Sequence, residues 1–460
     1  MWGFFFVLPF FDPIFLFLFT FINMKKIITT LIFLLVYTNS SFAQTLTSIH
    51  VSGKYILGPC GDTLILKGVN YAPYNWGWTS SQLRLNQIAL SGANCVRMPW
   101  YVTTPDGPTP QAVYNNLVLL DSALSKCVQY KMIPIIELHD QTCLNNPSNL
   151  ITTANWFVQP AVKVLINKYK HSIILNIANE ALWVAWAGNT LTAQSSFSNT
   201  YNTIVSTIRS NSITVPIMID APECGTNLDV LANIGGVMQS ADPSQNLIFS
   251  AHAYWYTYAN NDSLQALNKI NYALTKNIPF VFGEVANLQD GNSMCQYTLN
   301  YKPWMRILKQ KKIGWMAWSW DNDGCPARQI TTNGNFSSLS TYGTDIVNNP
   351  VYGLSVSTVK SLYLQNNKSC PPPPPPPNGL NDYNKQNAFV IFPNPSNGEF
   401  NLLTDFTMKR LSVYNVAGVE LKLHKGSNGS FCIDNKVPGV YYLELFDDKG
   451  NRYMKKLIVQ

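Results

Sequence analysis

The stretches Ile173–Glu180 (IILNIANE) and Ile278–Glu284 (IPFVFGE) share one make-up: a nearly unbroken apolar run that closes on a glutamate. A short apolar run bounded by polar residues reads as a strand buried on both faces. Six more runs of this kind flank them: Thr63–Asn70 (TLILKGVN), Asn94–Trp100 (NCVRMPW), Met132–Asp140 (MIPIIELHD), Val215–Asp220 (VPIMID), Leu247–Trp255 (LIFSAHAYW) and Ile313–Trp320 (IGWMAWSW). Stretches with helical spacing, such as residues 81–93 and 115–130, lie between them. Buried strands alternating with helices mean a parallel sheet, and eight repeats predict an α/β chain closed as a (β/α)8 barrel. A doubly wound sheet would instead place a glycine-rich phosphate loop after the first strand. The residues there read YAPYNWGW, so no dinucleotide site is expected.

In such a barrel, chemistry gathers at the C-terminal ends of the strands. The residues that fall there are Arg97, His139 with Asp140, Asn179 with Glu180, His252 with Tyr254, Glu284 and Trp318. A carboxylate beside an apolar run is costly unless a charge or donor meets it. Taken singly, each glutamate is equally well a strand-end carboxylate held by an arginine. As a pair they are the equipment for breaking a glycosidic bond, where one protonates the leaving oxygen and the other attacks or activates water. Trp100, Trp183, Trp255 and Trp320 stand among them, and flat aromatic faces suit sugar rings. Most of these tryptophans, taken alone, are expected simply to pack. Glu137 shares the phase of His139 and reads as a paired charge inside the barrel; Asp140 and Asp220 are candidates for sugar subsites.

The blocks GANCVRMPW, IIELHD, NIANE, SAHAYW, VFGE and GWMAWSW, in that order at strand ends, resemble glycoside hydrolase family 5, the group of cellulases and β-mannanases. The resemblance spans roughly residues 45–364. It implies Glu180 as acid/base and Glu284 as nucleophile of a retaining double displacement, with a carboxyl separation of about 5–5.5 Å. Arg97 and Tyr254 would keep Glu284 ionised, and the charge of Glu284 would raise the pKa of Glu180. Asn179 would bond the substrate 2-hydroxyl, His139 and His252 would orient carboxylates or sugar, and Trp318 would form the floor. The family usually has proline after Asn-Glu; this chain has Ala181. The blocks resemble the bacterial β-mannanase branch more than the usual cellulase branch. The expected substrate is therefore a β-1,4-mannan backbone cut in endo fashion, with β-1,4-glucan second and a non-catalytic glycan-binding barrel as the alternative of another class.

The ends carry addresses. Residues 1–43 read as leader and signal peptide: a start at Met24, Lys25-Lys26, the apolar Ile27–Tyr37, and Ser41-Phe42-Ala43 before the cut. Residues 44–368 form the expected catalytic domain. Residues 369–386, containing Pro371–Pro377, are a polyproline spacer. Residues 387–460 alternate short apolar runs with Asn-Gly and Lys-Gly turns, the pattern of a small β-sandwich. Their blocks FPNPSNGEF, VYNVAGVEL and GVYYLELFDDKGNRYMKKLIV resemble a type IX secretion C-terminal sorting domain, which implies export and a secretion-machinery partner.

A net charge of +7 without basic runs among aromatics leaves no nucleic-acid footprint. No membrane span is expected in the mature chain, and a monomer is expected. Nine cysteines show no zinc spacing, and Asp321-Asn-Asp323-Gly fails the full calcium-loop pattern and reads as a turn, so neither metal nor cofactor is expected. Cys95 reads as a small buried hydrophobe, and Cys295 with Cys325 as a candidate bridge.

Overall fold

The computed structural model describes residues 47–74, 83–102, 115–371, 389–404, 406–416, 419–426, 429–434 and 436–460. The expected leader over residues 1–43 and most of the proline spacer lie outside the described residues. The chain divides between Cys370 and Pro371 into two compact units.

In the first unit the eight apolar runs form eight parallel strands that close into a barrel in chain order. They are β1 (Lys67–Asn70), β2 (Cys95–Trp100), β3 (Ile133–Leu138), β4 (Ile174–Asn176), β5 (Ile217–Asp220), β6 (Leu247–His252), β7 (Phe280–Val285) and β8 (Gly314–Ala317). β8 pairs back on β1, with Trp315 opposite Lys67 and Ala317 opposite Val69. Every residue of these strands is buried, with side chains filling the barrel on one face and meeting helices on the other. That double burial is why alternation is missing from the runs and apolar residues follow one another.

The helices show their own period. The helix Leu191–Ser210 buries Phe197, Tyr201, Ile204, Val205 and Ile208, one stripe at helical spacing. Asn116, Thr190, Asn227 and Asp262 cap their helices by accepting backbone N–H groups of the first turn. A hairpin, His50–Ser52 with Tyr55–Leu57, precedes β1. Val51 N donates to Asn246 Oδ1 at 3.0 Å, which puts the hairpin at the N-terminal end of β6, away from the working rim. Cys60, next to it, is bonded to Cys370 at the end of the unit.

Two departures at the rim matter for the site. β4 ends at Asn176, although Ile177 N and Asn179 N still donate to Met218 O and Leu138 O on either side. The extended course therefore reaches Asn179, and the chain turns at Glu180, whose φ is +52°. The second departure is a register shift between β6 and β7: Ala251 faces Phe282, but His252 faces Glu284. Gly283 is the extra residue, and a Cβ there would lie 2.3 Å from Ser250 Oγ and 2.9 Å from His252 Nε2. The bulge aims Glu284 and His252 at each other, and only glycine leaves room for it.

The second unit holds two four-stranded antiparallel sheets. Phe389, Phe400 and Ile433 from one sheet share a core with Val413, Leu443, Leu445 and Leu457 from the other, so the sheets pack face to face. No described helix is long and apolar enough to cross a membrane.

Candidate active site

Arg97, on β2, is wholly buried at the centre of the rim. Its five N–H donors find partners on four other strands or their ends. Nε donates to Asn176 Oδ1 (2.8 Å), Nη1 to Asn70 Oδ1 (3.0 Å) and Glu284 Oε1 (2.8 Å), and Nη2 to Asn179 Oδ1 (2.7 Å) and Asp220 Oδ2 (3.0 Å). Glu137 Oε2 lies 3.6 Å away. Burial alone would lower the guanidinium's pKa, but Glu137, Asp220 and Glu284 outweigh it and hold it well above its usual value.

Glu284 is clamped on both oxygens, Oε1 by Arg97 and Oε2 by the Tyr254 hydroxyl at 2.7 Å. Burial and the Glu284 charge push the Tyr254 pKa well up, so the phenol stays a donor. Glu180 has a different setting. Its Oε1 meets His252 Nδ1 at 2.7 Å, and its backbone N donates to Asp220 Oδ2 at 3.3 Å. Burial is the first cause that raises the Glu180 pKa; His252 pulls it down, and Glu284 and Asp220 push it further up. The Glu284 charge raises the Glu180 pKa in the expected direction, and removal from water adds a larger push the same way. One oxygen of each glutamate and a ring nitrogen of His252 all lie within 4.8 Å of one another. An inverting pair would stand roughly 6.5–9.5 Å apart to admit a water.

His252 is buried among three carboxylates, with Nε2 3.4 Å from Asp220 Oδ2. Burial opposes its protonation, but Glu284 and Asp220 win and raise its pKa to about 10. His139 Nδ1 donates to Glu137 Oε2 at 3.0 Å, and the His139 ring stacks on Trp318 with ring centroids 6.0 Å apart. Burial lowers its pKa less than Glu137 raises it. His139, Asn179, Glu180, Tyr254, Glu284 and Trp318 share one cavity of about 710 Å³.

Residues 60–324 match the model of the cellulase family, glycosyl hydrolase family 5. The chain belongs to that family. Mannan endo-1,4-beta-mannosidase of Cellvibrio japonicus is 26% identical over 305 residues, 65% of this chain and 66% of that protein. The enzyme of the same name from Salipaludibacillus agaradhaerens is 25% identical over 272 residues, 59% of this chain and 80% of that one. The crystal structure of a beta-mannanase from Streptomyces thermolilacinus matches with a TM-score of 0.58 at 21% identity, over 69% of this chain and 100% of that one; this likeness concerns the fold. Residues 390–460 match the secretion system C-terminal sorting domain, so this glycoside hydrolase is an extracellular or cell-surface protein.

Several residues of the hydrolase sit differently from their reading in the sequence. Asp220 lines no subsite: it lies beneath the cavity, bonded to Arg97, Asn176 and the Glu180 backbone. Burial raises its pKa, but Arg97 and His252 overcome this and hold the carboxyl well below the usual range. Asp140 is also not in the cavity wall; its carboxylate receives Val102 N. Glu137 is the buried paired charge that was expected. Trp100, Trp255 and Trp320 are core residues, whereas Trp186 lines the cavity. The Asp323 turn does more than turn. Its Oδ2 receives Trp318 Nε1 (2.6 Å) and Arg328 Nε (2.8 Å), and Arg328 also reaches Asp290. Asp323 thus fixes the tilt of the Trp318 ring. Cys295 and Cys325 are bonded, as are Cys143 and Cys224, which both line the cavity.

Proposed function

We propose that this family 5 hydrolase cuts the backbone of β-1,4-mannan internally, by double displacement with retention. The observation that carries the mechanism is the contrast between the two close carboxylates. Glu284, held by Arg97 and Tyr254, is poised as the ionised nucleophile; Glu180, its pKa raised by burial, is poised to hold a proton. In the first step Glu284 Oε attacks the anomeric carbon, the glycosidic C–O bond breaks, and the Glu180 proton passes to the departing sugar oxygen. In the second, Glu180 takes a proton from water, whose oxygen displaces Glu284 from the same carbon.

The supporting roles follow from contacts. Asn179 spends Oδ1 on Arg97 and one Nδ2 hydrogen on Thr142, leaving its second hydrogen for a sugar 2-hydroxyl. His252 bridges the two glutamates, and His139 with Trp318 forms a stacked wall for the cleaved sugar. The mannan assignment rests on the blocks quoted above and on relatives named as mannan endo-1,4-beta-mannosidases. The working unit is proposed to be a monomer. Residues 44–368 would carry catalysis, 369–386 the spacing, and 387–460 the export address.

Reducing-sugar release from mannan, carboxymethyl cellulose and xyloglucan tests this. Release greatest on mannan, retention at the anomeric carbon by NMR, and loss in Glu284→Gln are expected. Release unaffected by Glu284→Gln ends the mechanism; greater release from carboxymethyl cellulose ends the mannan assignment.

A further inference from the structure

A covalent bond crosses the working rim beside Glu180. Cys143, in the loop after β3, is bonded to Cys224, in the loop after β5. Glu180 comes from the loop between them. Cys143 Sγ lies 3.6 Å from Glu180 Oε2, the oxygen that His252 does not take. A disulfide sulfur has no hydrogen to donate, so this is contact with an apolar surface rather than a hydrogen bond.

The flanks of the same bridge grip the chain that follows Glu180. Leu182 N donates to Leu144 O at 2.9 Å, and Glu223 N donates to Leu182 O at 3.3 Å. Trp183 Nε1 donates to Cys143 O at 3.0 Å, and Glu223 Oε1 receives the N–H groups of Val184 and Ala185. On the other side of Cys224, Gly225 O receives His252 N at 2.7 Å, and a Cβ at Gly225 would lie 2.7 Å from the His252 ring. Glu180, Leu182, Cys143, Glu223 and Cys224 all have left-handed φ, between +50° and +73°. Side-chain-bearing residues keep that conformation only where their surroundings enforce it. Here the surroundings are two loops tied to each other by a bond.

We propose that the Cys143–Cys224 disulfide is a positioning element for the proton donor. It clamps the left-handed turn that presents Glu180, and it gives Oε2 a neighbour that offers no hydrogen, so this oxygen keeps the proton that the leaving sugar needs. The proposal rests on Glu180 being the acid/base.

The test compares wild type with the pairs C143A/C224A and C143S/C224S on two substrates. One is mannan, whose leaving group needs protonation. The other is a 2,4-dinitrophenyl β-mannoside of matching length, whose leaving group does not. The alanine pair should lose about tenfold or more in kcat/KM on mannan, part of what a positioned general acid supplies, and change less than about twofold on the aryl glycoside. The basic limb of its pH profile should move to lower pH. The serine pair should move the limb further, because a hydroxyl at position 143 can donate to Oε2 and favour the carboxylate. Equal losses on both substrates would mean general collapse of the loops and overturn the proposal, as would an unmoved basic limb or no loss on mannan.

Should the alanine pair fail to fold, wild type treated with a water-soluble phosphine supplies the same readout. The phosphine becomes its oxide, with oxygen from water, and the two sulfurs become thiols that alkylation and peptide mapping can assign. Loss on mannan must then track alkylation of Cys143 and Cys224 while the aryl glycoside is spared. Failure of the underlying assignment is separable: Glu180→Gln would then retain full activity on mannan.

Discussion

Replacing Asp220 by asparagine removes one charge from beneath the site while keeping its shape. In the native structure this carboxylate accepts from Arg97 Nη2 (3.0 Å), Asn176 Nδ2 (3.1 Å) and Glu180 N (3.3 Å). An asparagine turns an amide N–H toward one of these donors, and breaking a buried charged pair costs about 3–5 kcal/mol. Arg97 keeps Glu284 and Glu137, so the lower end, about 3 kcal/mol, is expected. At roughly 2–4 °C per kcal/mol, the catalytic unit should melt about 6–12 °C below wild type at neutral pH. The pH dependence has a definite sign. The Asp220 pKa is depressed in the folded protein, so its stabilisation is present above the unfolded value and lost as pH falls through the folded one. The gap between wild type and variant should therefore shrink by about 1 kcal/mol between pH 5 and pH 3. Calorimetric melting across that range is the measurement. Because Glu180 N and Arg97 both lose register, kcat on mannan should fall about hundredfold. A variant that melts together with wild type at pH 7, or a gap that widens toward pH 3, would refute the reasoning.

Three other perturbations have expected outcomes. Gly283→Ala drives a methyl into Ser250 Oγ and the His252 ring, so kcat should collapse with KM nearly unchanged and a cost in stability of about 1–3 kcal/mol, read by kinetics and denaturant unfolding. Asp323→Ala frees the Trp318 ring and strands Arg328; losing that charged hydrogen bond should raise KM on mannan roughly tenfold, with kcat less affected. Cys60→Ser with Cys370→Ser unties a span of 310 residues and should lower stability by up to about 5 kcal/mol in thermal melts, while kcat holds, since the bridge lies away from the working rim.

What could be read in the sequence is what has a local signature. Eight doubly buried strands leave eight apolar runs, and a barrel leaves its rim residues at their ends, so Arg97, His139, Asn179, His252, Tyr254, Glu284 and Trp318 could be placed before any coordinates. What could not be read depends on partners far apart in the chain. Arg97 draws on residues from Asn70 to Glu284, and nothing near Asp220 in sequence says that its carboxylate points under the site instead of into a subsite. The apolar run puts Glu180 at a strand end, but its left-handed turn beyond β4 is fixed by contacts to the loops around it. Asp323 was legible only as a turn, because its second task is done through Trp318 and Arg328. The signal that could have found it was Trp318 itself, just past the end of the eighth strand, whose indole N–H needs an acceptor close by.

The charge balance of the rim supports the proposal that Glu180, rather than another of its carboxylates, is the acid. Four acids meet there: Glu137, Glu180, Asp220 and Glu284. Three groups can answer them with positive charge: Arg97 permanently, His252 with its pKa near 10, and His139 raised by Glu137. A buried cluster tolerates little uncompensated charge, so one carboxyl must keep its proton when all three cations are present. Glu137 is spent on His139, Asp220 on Arg97 and His252, and Glu284 on Arg97 with a second bond from Tyr254. Glu180 has one histidine contact on one oxygen and a hydrogen-free sulfur beside the other. On this proposal the proton settles on Glu180, which lines the cavity where a departing sugar can collect it.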